Sequence, residues 1–305
     1  MDIFFQFRHL FHILAGIIRR LHFFIPSDEL FLRMVFPLEI GHRLNLKHPK
    51  SFNEKLQWLK LYDRKEEYTS LVDKAKAKQI VASIIGEKYI IPTIGIWNNA
   101  NDIDWERLPD RFVLKTTHGS GGNGIYICTD KGSFDKKVAV DGLNSSLKGN
   151  STYYKYKEWP YKNVERKIIA EKYIGIGNEV PADYKFHCFN GEPKFILVCR
   201  NRFSETGLID DFYTSDWQHL DVRRPGKNNP GGVPCPPNLQ EMIDIARKLS
   251  KDIPFVRVDL YLVGKTIYFS ELTFYPASGL VRFEPEEWDM IFGSMLYCNT
   301  NIEKS

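Results

Sequence analysis

The sequence has few cysteines, and none of them has the spacing of a metal site. The five present are Cys128, Cys188, Cys199, Cys235 and Cys298. No C-x-x-C pair occurs and the count is odd, which argues against a zinc site and against a disulfide framework. This cysteine usage is typical of a reducing compartment, so we expect a cytoplasmic protein.

The chain also lacks a strong excess of charge of one sign. Its formal net charge is +4 over 305 residues. A nucleic-acid-binding protein is expected to concentrate basic residues on one face, so we expect no nucleic-acid partner. Hydrophobic residues make up 43% and charged residues 26% of the chain, which is typical of a folded protein with a large core in two or three lobes.

No long hydrophobic run is present near the N-terminus, although residues 1–26 are rich in Phe, Leu and Ile. The longest uncharged stretch there, residues 9–18, is shorter than the roughly 20 residues that span a bilayer. On a helical wheel, one side carries Ile3, Leu10, Leu14, Ile17 and Leu21, and the opposite side carries Arg8, His12 and Arg19. Two interpretations stay open: a helix on the inner membrane surface, or a helix packed on the protein's own core or on a partner.

Residues 27–95 are predicted to be mainly helical. Ser51 and Glu54 form a capping box, because each side chain can satisfy the other's free backbone N–H at the start of a helix. A second helix is predicted over residues 73–85, ending at Gly86.

Beyond residue 95 the pattern becomes mixed, and the overall class is α+β. Asn190-Gly191 predicts a hairpin turn, since both residues tolerate positive φ. Residues 223–237, rich in proline and glycine, predict a long loop. A helix is predicted over residues 238–250, and strands over 89–91, 111–115, 125–128, 168–171, 184–189, 193–198, 256–263 and 266–273.

A glycine-rich loop lies between two predicted strands. Lys115 ends the first strand, and Ser120, Gly121 and Gly122 follow it. Glycines let backbone N–H groups surround an anion, and the lysine adds a positive charge, so the segment predicts a phosphate site. The alternative is a flexible hairpin loop.

Two acidic residues lie on the last predicted hairpin. Adjacent antiparallel strands can bring Asp259 and Glu271 side by side. We expect these carboxylates to repel each other unless a cation lies between them, and Mg²⁺ takes carboxylate and phosphate oxygens together. The alternative is a pair of acids on a solvated strand face.

These pieces, in this order, resemble the ATP-grasp superfamily. In that resemblance, Lys74 and Lys115 correspond to the two nucleotide lysines, and Arg257 precedes the first metal ligand, Asp259. Glu271-Leu-Thr273 matches the family's E-x-N metal motif, with Thr273 in place of Asn. The hinge that meets the adenine and ribose resembles the segment containing Glu171, Lys172 and Ile174.

More narrowly, the chain resembles the TupA-like ATP-grasp family, named for teichuronopeptide biosynthesis. The supporting stretches are residues 49–58, Asp73-Lys74 and residues 183–191. The last stretch adds Asp183 to the residues expected to bind the nucleotide. The resemblance implies an ATP-grasp fold over residues 96–300, with a lid lobe at about 111–170 and a C-terminal lobe at about 171–300. Residues 27–95 are shorter and more helical than the Rossmann-like lobe of the superfamily.

The resemblance implies a ligase that uses ATP and Mg²⁺ to activate a carboxylate as an acylphosphate and join it to an amine, in bacterial cell-envelope polysaccharide biosynthesis. Arg257 would stabilise the oxyanion of the tetrahedral intermediate. Lys185 would reach ATP or the substrate carboxylate, or else be an edge-strand lysine. Arg200, Arg202, Arg223 and Arg224 suit an anionic sugar acid or acidic polymer on the acceptor side, and the alternative for each of them is a solvated loop. A glycosyltransferase of the same pathway and a non-catalytic adaptor remain alternatives.

Overall fold

The computed structural model describes residues 3–119, 124–149, 152–177, 179–201, 207–229 and 231–299. The α-helices are α1 (Ile3–Arg20), α2 (Asp28–Ile40), α3 (Phe52–Tyr62), α4 (Glu67–Val72), α5 (Lys76–Ile85), α6 (Lys136–Lys148), α7 (Thr152–Tyr156), α8 (Leu239–Ser250) and α9 (Glu287–Met295). The strands are β1 (Thr93–Trp97), β2 (Phe112–Thr116), β3 (Ile125–Cys128), β4 (Ile168–Lys172), β5 (Asp183–Phe189), β6 (Glu192–Arg200), β7 (Ile209–Thr214), β8 (His219–Leu220), β9 (Phe255–Val263) and β10 (Thr266–Thr273).

The strands form two antiparallel sheets. The small sheet has four strands in the order β1-β4-β2-β3, and the large sheet has six in the order β10-β9-β5-β6-β7-β8. In the large sheet, β5 lies between β6 and β9, so its side chains are surrounded by neighbours on both sides. The main hydrophobic core runs from the N-terminal helices to the large sheet and α8, and a second core lies against the small sheet.

The N-terminal helices are joined to the far end of the chain by polar contacts. The capping box predicted at Ser51 and Glu54 is confirmed, and it starts α3. Asn53 donates its backbone N–H to the Asp289 carboxylate at 2.9 Å, and Lys55 donates to the carbonyl oxygens of α9. Residues 27–95 therefore pack on the same body as the large sheet.

The predicted helix over residues 73–85 begins later, at Lys76. The Asp73 carboxylate accepts hydrogen bonds from the N–H groups of Ala75 and Lys76, so this residue lies before the helix. The helix ends at Gly86, as predicted, with φ of +101°.

The predicted strand over residues 89–91 is wrong. Residues 87–89 form a 3-10 turn, and strand β1 begins after Pro92. Ile90 makes a single bridge, to Phe269. Proline has no N–H to donate, which explains why regular pairing starts only beyond it.

The predicted hairpins are confirmed. Asn190 and Gly191, with φ of +51° and +84°, join β5 to β6, and β9 pairs with β10 over nearly its whole length. Strand β7 was not predicted from the sequence. Among the described residues, no helix has both the length and the apolar character needed to cross a membrane.

Candidate active site

A cleft opens between the two sheets. Its lining is largely apolar and also includes the charged residues Lys115, Glu171, Lys172 and Asp183. An apolar pocket with a few charged groups is the usual form of a small-molecule site. The lining residues include Ile91, Val113, Lys115, Ile125, Ile127, Glu171, Lys172, Tyr173, Ile174, Asp183, Cys199 and Tyr261.

On the small-sheet side, one carboxylate is shared by two lysines. Glu171 on β4 is 3% exposed, and its two oxygens lie 2.6 Å from the Nζ atoms of Lys78 and Lys115. Burial raises the pKa of Glu171, but the two ammonium groups outweigh it and hold the pKa below its usual value. Glu171 therefore carries a fixed negative charge. The two lysines around it leave a surplus of one positive charge.

Lys74 lies at the junction of the two sides. Its ammonium donates a hydrogen bond to the Gly119 carbonyl and lies 3.6 Å from a Glu271 oxygen. Burial lowers the pKa of Lys74, although Glu271 acts in the opposite direction. Lys74 thus holds the start of the glycine-rich loop. The predicted phosphate-loop residues Ser120, Gly121 and Gly122 lie outside the described residues.

On the large sheet, a row of charged residues crosses three neighbouring strands. Lys185 on β5 pairs with Asp259 on β9, which pairs with Glu271 on β10. The register of β10 shifts between Phe269 and Glu271, which is a β-bulge. Because of this extra residue, Glu271 rather than Ser270 lies opposite Asp259.

Asp259 is fully buried and is bound by two basic residues, Arg257 of the same strand and Lys185 of the row. Arg257 donates to its two oxygens at 2.6 Å each, and Lys185 donates to both Asp259 and Asp183. Burial raises the pKa of Asp259, but Arg257 and then Lys185 outweigh it, so the pKa lies below its usual value. Lys185 is on an inner strand and 3% exposed, so the edge-strand alternative is wrong.

The expected repulsion between Asp259 and Glu271 does not dominate. Burial and Asp259 both raise the pKa of Glu271, but Lys74 and other cations outweigh them and lower it. The two acids are therefore neutralised by lysine and arginine side chains of the protein itself.

The fit of a Mg²⁺ ion differs between the two acids. Glu271 is 33% exposed, and its partners Lys74, Arg257 and Thr273 lie at 3.5–3.6 Å, so its oxygens fit a hard cation. Asp259 already accepts three hydrogen bonds and would have to release one. The Thr273 hydroxyl lies 3.0 Å from Arg257. Among the described residues, no group of three His, Cys, Asp or Glu side chains has the arrangement of a metal site, so a cation here would need oxygens from a ligand.

Of the four arginines expected to bind an acceptor, the three that the structure describes are paired with acidic residues. Arg200 bonds Asp211 at 3.0 Å and Arg224 bonds Asp210 at 2.6 Å. A third pair, 3.2 Å apart, joins Arg223 to Glu284, and Arg202 lies outside the described part of the chain. Acceptor binding by these arginines would compete with existing ion pairs.

Lys78 was missed from the sequence, although it follows Lys74 by four residues. Besides Glu171, it donates to the Ile91 carbonyl at 2.6 Å and to the Thr93 hydroxyl at 3.1 Å. The i, i+4 spacing is the one signal that could have suggested it. Lys78 therefore connects α5 to the start of β1, in addition to its contact with Glu171 in the cleft.

A sequence model of the TupA-like ATP-grasp family matches residues 54–297. The chain belongs to this family. The ATP-grasp fold, the α+β class and the helical N-terminal region expected from the sequence are thereby confirmed. A comparison with curated proteins finds no match.

Solved structures of ATP-grasp ligases are distantly similar to this TupA-like protein. The D-alanine–D-alanine ligase from Bacillus anthracis is 16% identical with a TM-score of 0.38, and the alignment covers 73% of this chain and 60% of that one. The corresponding enzyme from Helicobacter pylori is 14% identical with a TM-score of 0.43, covering 81% and 70%. The ATP-grasp ligase PsnB, complexed with a minimal precursor, is 6% identical with a TM-score of 0.40, covering 72% and 59%. The chain thus spans about 60% of the length of the first of these ligases.

Proposed function

We propose that this protein is an ATP-dependent ligase that activates a carboxylate as an acylphosphate and joins it to an amine. The observation that carries the proposal is the cleft itself. On the small-sheet side its lining includes Glu171 and Lys115, which form an ion-paired cluster with Lys78. On the large-sheet side it includes Asp183, which Lys185 connects to Asp259 and so to the row that ends at Glu271. An ATP phosphate chain needs cations, and transfer of its terminal group needs a region that orients a metal and a substrate.

The nucleotide would lie with its adenine against the apolar wall between the sheets. We assign the hinge contacts to Glu171, Lys172 and Ile174, which all line the cleft, and assign Asp183 to the ribose end. Lys74 and Lys115 would bind phosphates, and in doing so Lys115 would exchange its bond with Glu171 for a bond to a phosphate oxygen. Ser120, Gly121 and Gly122 would complete the phosphate site through their backbone.

Mg²⁺, bound through Glu271, Asp259 and Thr273, would neutralise charge on the phosphates. The terminal phosphoryl group moves from ATP to a substrate carboxylate oxygen, and ADP is released. An amine then attacks the acyl carbon, an amide bond forms, and inorganic phosphate leaves with the C–O electron pair. Arg257 would stabilise the oxyanion of the intermediate, and Lys185 would orient the carboxylate.

The substrates are proposed by chemical class only. We propose a carboxylate on a small molecule or an envelope polysaccharide, together with an amine or amino acid, and this rests on the family resemblance. The ion-paired arginines, above all Arg224 beside Cys199 in the cleft region, are the residues that an acidic acceptor would engage.

The glycosyltransferase alternative has less support in the structure. The D-x-D triplet that such an enzyme would use for a nucleotide sugar occurs once, at Asp102-Ile103-Asp104. Both acids are exposed, neither is among the residues lining the cleft, and Asp104 pairs with Arg107 at 3.1 Å. A non-catalytic adaptor would not need the buried charges of the large sheet, which a plain apolar sheet could replace.

Ligand-dependent melting followed by turnover tests the proposal. ATP with Mg²⁺ at a hundred times its Kd should stabilise the protein by about 2.7 kcal/mol, while a UDP-sugar with Mn²⁺ should not. ADP and phosphate should then form in equal amounts when a uronic acid or acidic glycan and an amine are both supplied. Stabilisation by the UDP-sugar alone would favour the glycosyltransferase, and ATP binding without turnover across the substrate panel would favour the adaptor.

A further inference from the structure

Helix α1 contacts the rest of the protein through its polar side. The Nδ1 atom of His12 lies 2.7 Å from the carboxylate of Glu39 on α2, and the Arg19 guanidinium donates to the same carboxylate. The Arg19 guanidinium also lies 5.2 Å from the ring centre of Tyr156 on α7. Ala15, one turn from both, is fully buried. The helix is therefore fixed on the body by charge-assisted hydrogen bonds.

The opposite side of α1 is apolar and exposed. A surface helix normally turns its apolar side to the core, so this orientation is the reverse of the usual one. The apolar side is therefore not packed on the protein's own core, and of the sequence interpretations those with a membrane surface or a partner remain. The exposed fractions are 40–49% for Leu10, Ile13, Leu14, Ile17 and Leu21, and 70% and 83% for the following Phe23 and Phe24. Contiguous exposed apolar patches mark interaction sites.

The charge of this segment indicates what the patch binds. Residues 3–27 contain three arginines and no aspartate or glutamate. Arg20 is exposed and follows Ile17 by three residues, at the edge of the apolar side. Arginine beside an apolar helix face suits anionic lipid headgroups above an acyl layer. Two copies of α1 packed through this face would instead place Arg20 of each copy beside a helix that has no acid to pair with it.

We propose that the apolar side of α1, extended by Phe23 and Phe24, binds the surface of an anionic membrane. The helix lies parallel to the membrane, with its polar side held by Glu39 and with Arg20 among the headgroups. This orientation leaves the body of the protein on the aqueous side. The inference does not depend on the ligase function, because it uses no residue of the cleft.

Vesicle binding by the full-length protein tests this surface. We expect cosedimentation with vesicles of 30% phosphatidylglycerol in phosphatidylcholine, and weaker binding to phosphatidylcholine alone. Leu14→Gln/Ile17→Gln/Leu21→Gln should lower partitioning at least about a hundredfold. Arg20→Gln should lower it about fivefold at low salt. The matched control is Val138→Gln/Ile176→Gln, which changes exposed apolar residues outside α1 and should have no effect.

Melting temperature and ATP affinity should stay unchanged in the triple variant, because its three side chains are exposed. The variant Phe23→Ser/Phe24→Ser provides a second, independent loss of binding. The proposal is overturned if the full-length protein fails to bind anionic vesicles, or if the triple variant binds as well as wild type. It is also overturned if the protein is a lipid-independent dimer that the triple variant converts to monomer without any vesicle binding.

Discussion

The two sides of the cleft bury charge in different proportions. On the small sheet, two lysines share the single carboxylate of Glu171. On the large sheet, the three carboxylates of Asp183, Asp259 and Glu271 face the three cations Lys185, Arg257 and Lys74, so their charges balance. The small-sheet side therefore has a surplus of positive charge and the large-sheet side has none. The phosphates of a ligand would neutralise the first side, and a divalent cation bound with them would be held by Glu271 on the second.

Asp259→Asn should have the largest effect of the substitutions that test this difference. The amide keeps the shape but removes the charge that binds two fully buried cations, Arg257 and Lys185. Breaking a buried ion pair costs about 3–5 kcal/mol. Because Lys185 keeps Asp183 and Arg257 keeps its longer contact with Glu271, we expect the unfolding free energy to fall by the lower end of that range. Chemical denaturation of the protein without ligand measures it.

Glu271→Gln is the matched control on the neighbouring strand. Its carboxylate is 33% exposed and its contacts are 3.5–3.6 Å long, so the loss should be below about 1 kcal/mol. Both variants should lose Mg²⁺-dependent turnover. Equal losses of stability, or an Asp259→Asn protein as stable as wild type, would contradict the assignment of Asp259 as the centre of the buried network.

Lys115→Met should mainly affect ATP binding. This substitution keeps the apolar stem but removes the ammonium group from the positive side, leaving Glu171 paired with Lys78. Losing one charge-assisted contact to a phosphate costs about 1.5–3 kcal/mol, or roughly a ten- to hundredfold rise in Kd. Titration calorimetry measures this. Lys137→Met, which removes an exposed lysine outside the cleft, should change the affinity less than about threefold.

Lys78→Met tests whether the lysines around Glu171 contribute to stability as well as to ATP binding. Lys78 also bonds the Ile91 carbonyl and the Thr93 hydroxyl, so its loss should lower stability by about 1–3 kcal/mol as well as weaken ATP binding. Unchanged stability would mean that these two contacts contribute nothing to holding α5 on β1.

Local sequence signals were sufficient for the elements that organise the cleft. The capping box at Ser51 and the Asn190-Gly191 turn depend on neighbouring residues, and both follow from their own chemistry. The antiparallel pairing of β9 with β10 follows from its short turn. The family resemblance then supplied the fold.

Features that depend on distant partners could not be predicted in the same way. The shared use of Glu171 by Lys78 and Lys115 joins three elements far apart in the chain. The bulge that aligns Glu271 with Asp259 requires the register of the whole sheet. The reversed orientation of α1 depends on Glu39, a single acid on another helix. Periodicity identifies the two sides of a helix but not which of them meets the protein.

One buried histidine lies near each side of the cleft, and the last comparison is between their effects on the pH dependence of stability. These effects are the smallest that we predict. His187 on β5 is stacked 4.2 Å from Phe195 and bonds the Lys185 carbonyl, and burial, aided by Arg257, lowers its pKa well below the usual value. His118, after β2, bonds the Ser146 carbonyl at 3.2 Å, and burial lowers its pKa as well. In both cases the unfolded chain takes up a proton near its usual pKa of 6.5, whereas the folded chain takes it up only at lower pH. Stability should therefore fall as the pH drops through 6.5, by at most about 1.4 kcal/mol per pH unit for each histidine.

The buried pair Glu158 and Lys60 titrates in the same range, since burial raises the pKa of Glu158 to about 7 and lowers that of Lys60 to about 7. Glu158 acts in the opposite direction, because the folded chain then holds the proton. Wild type and a histidine variant both contain this pair, so its contribution cancels when the stability of one is subtracted from that of the other. His187→Gln should remove more of the acid-dependent loss between pH 6.5 and 5 than His118→Gln does, because the pKa of His187 is lowered further by burial and by Arg257. Denaturation midpoints measured at half-unit pH steps decide which histidine contributes more. If stability falls with pH in His187→Gln as steeply as in wild type, this histidine can accept a proton in the folded protein.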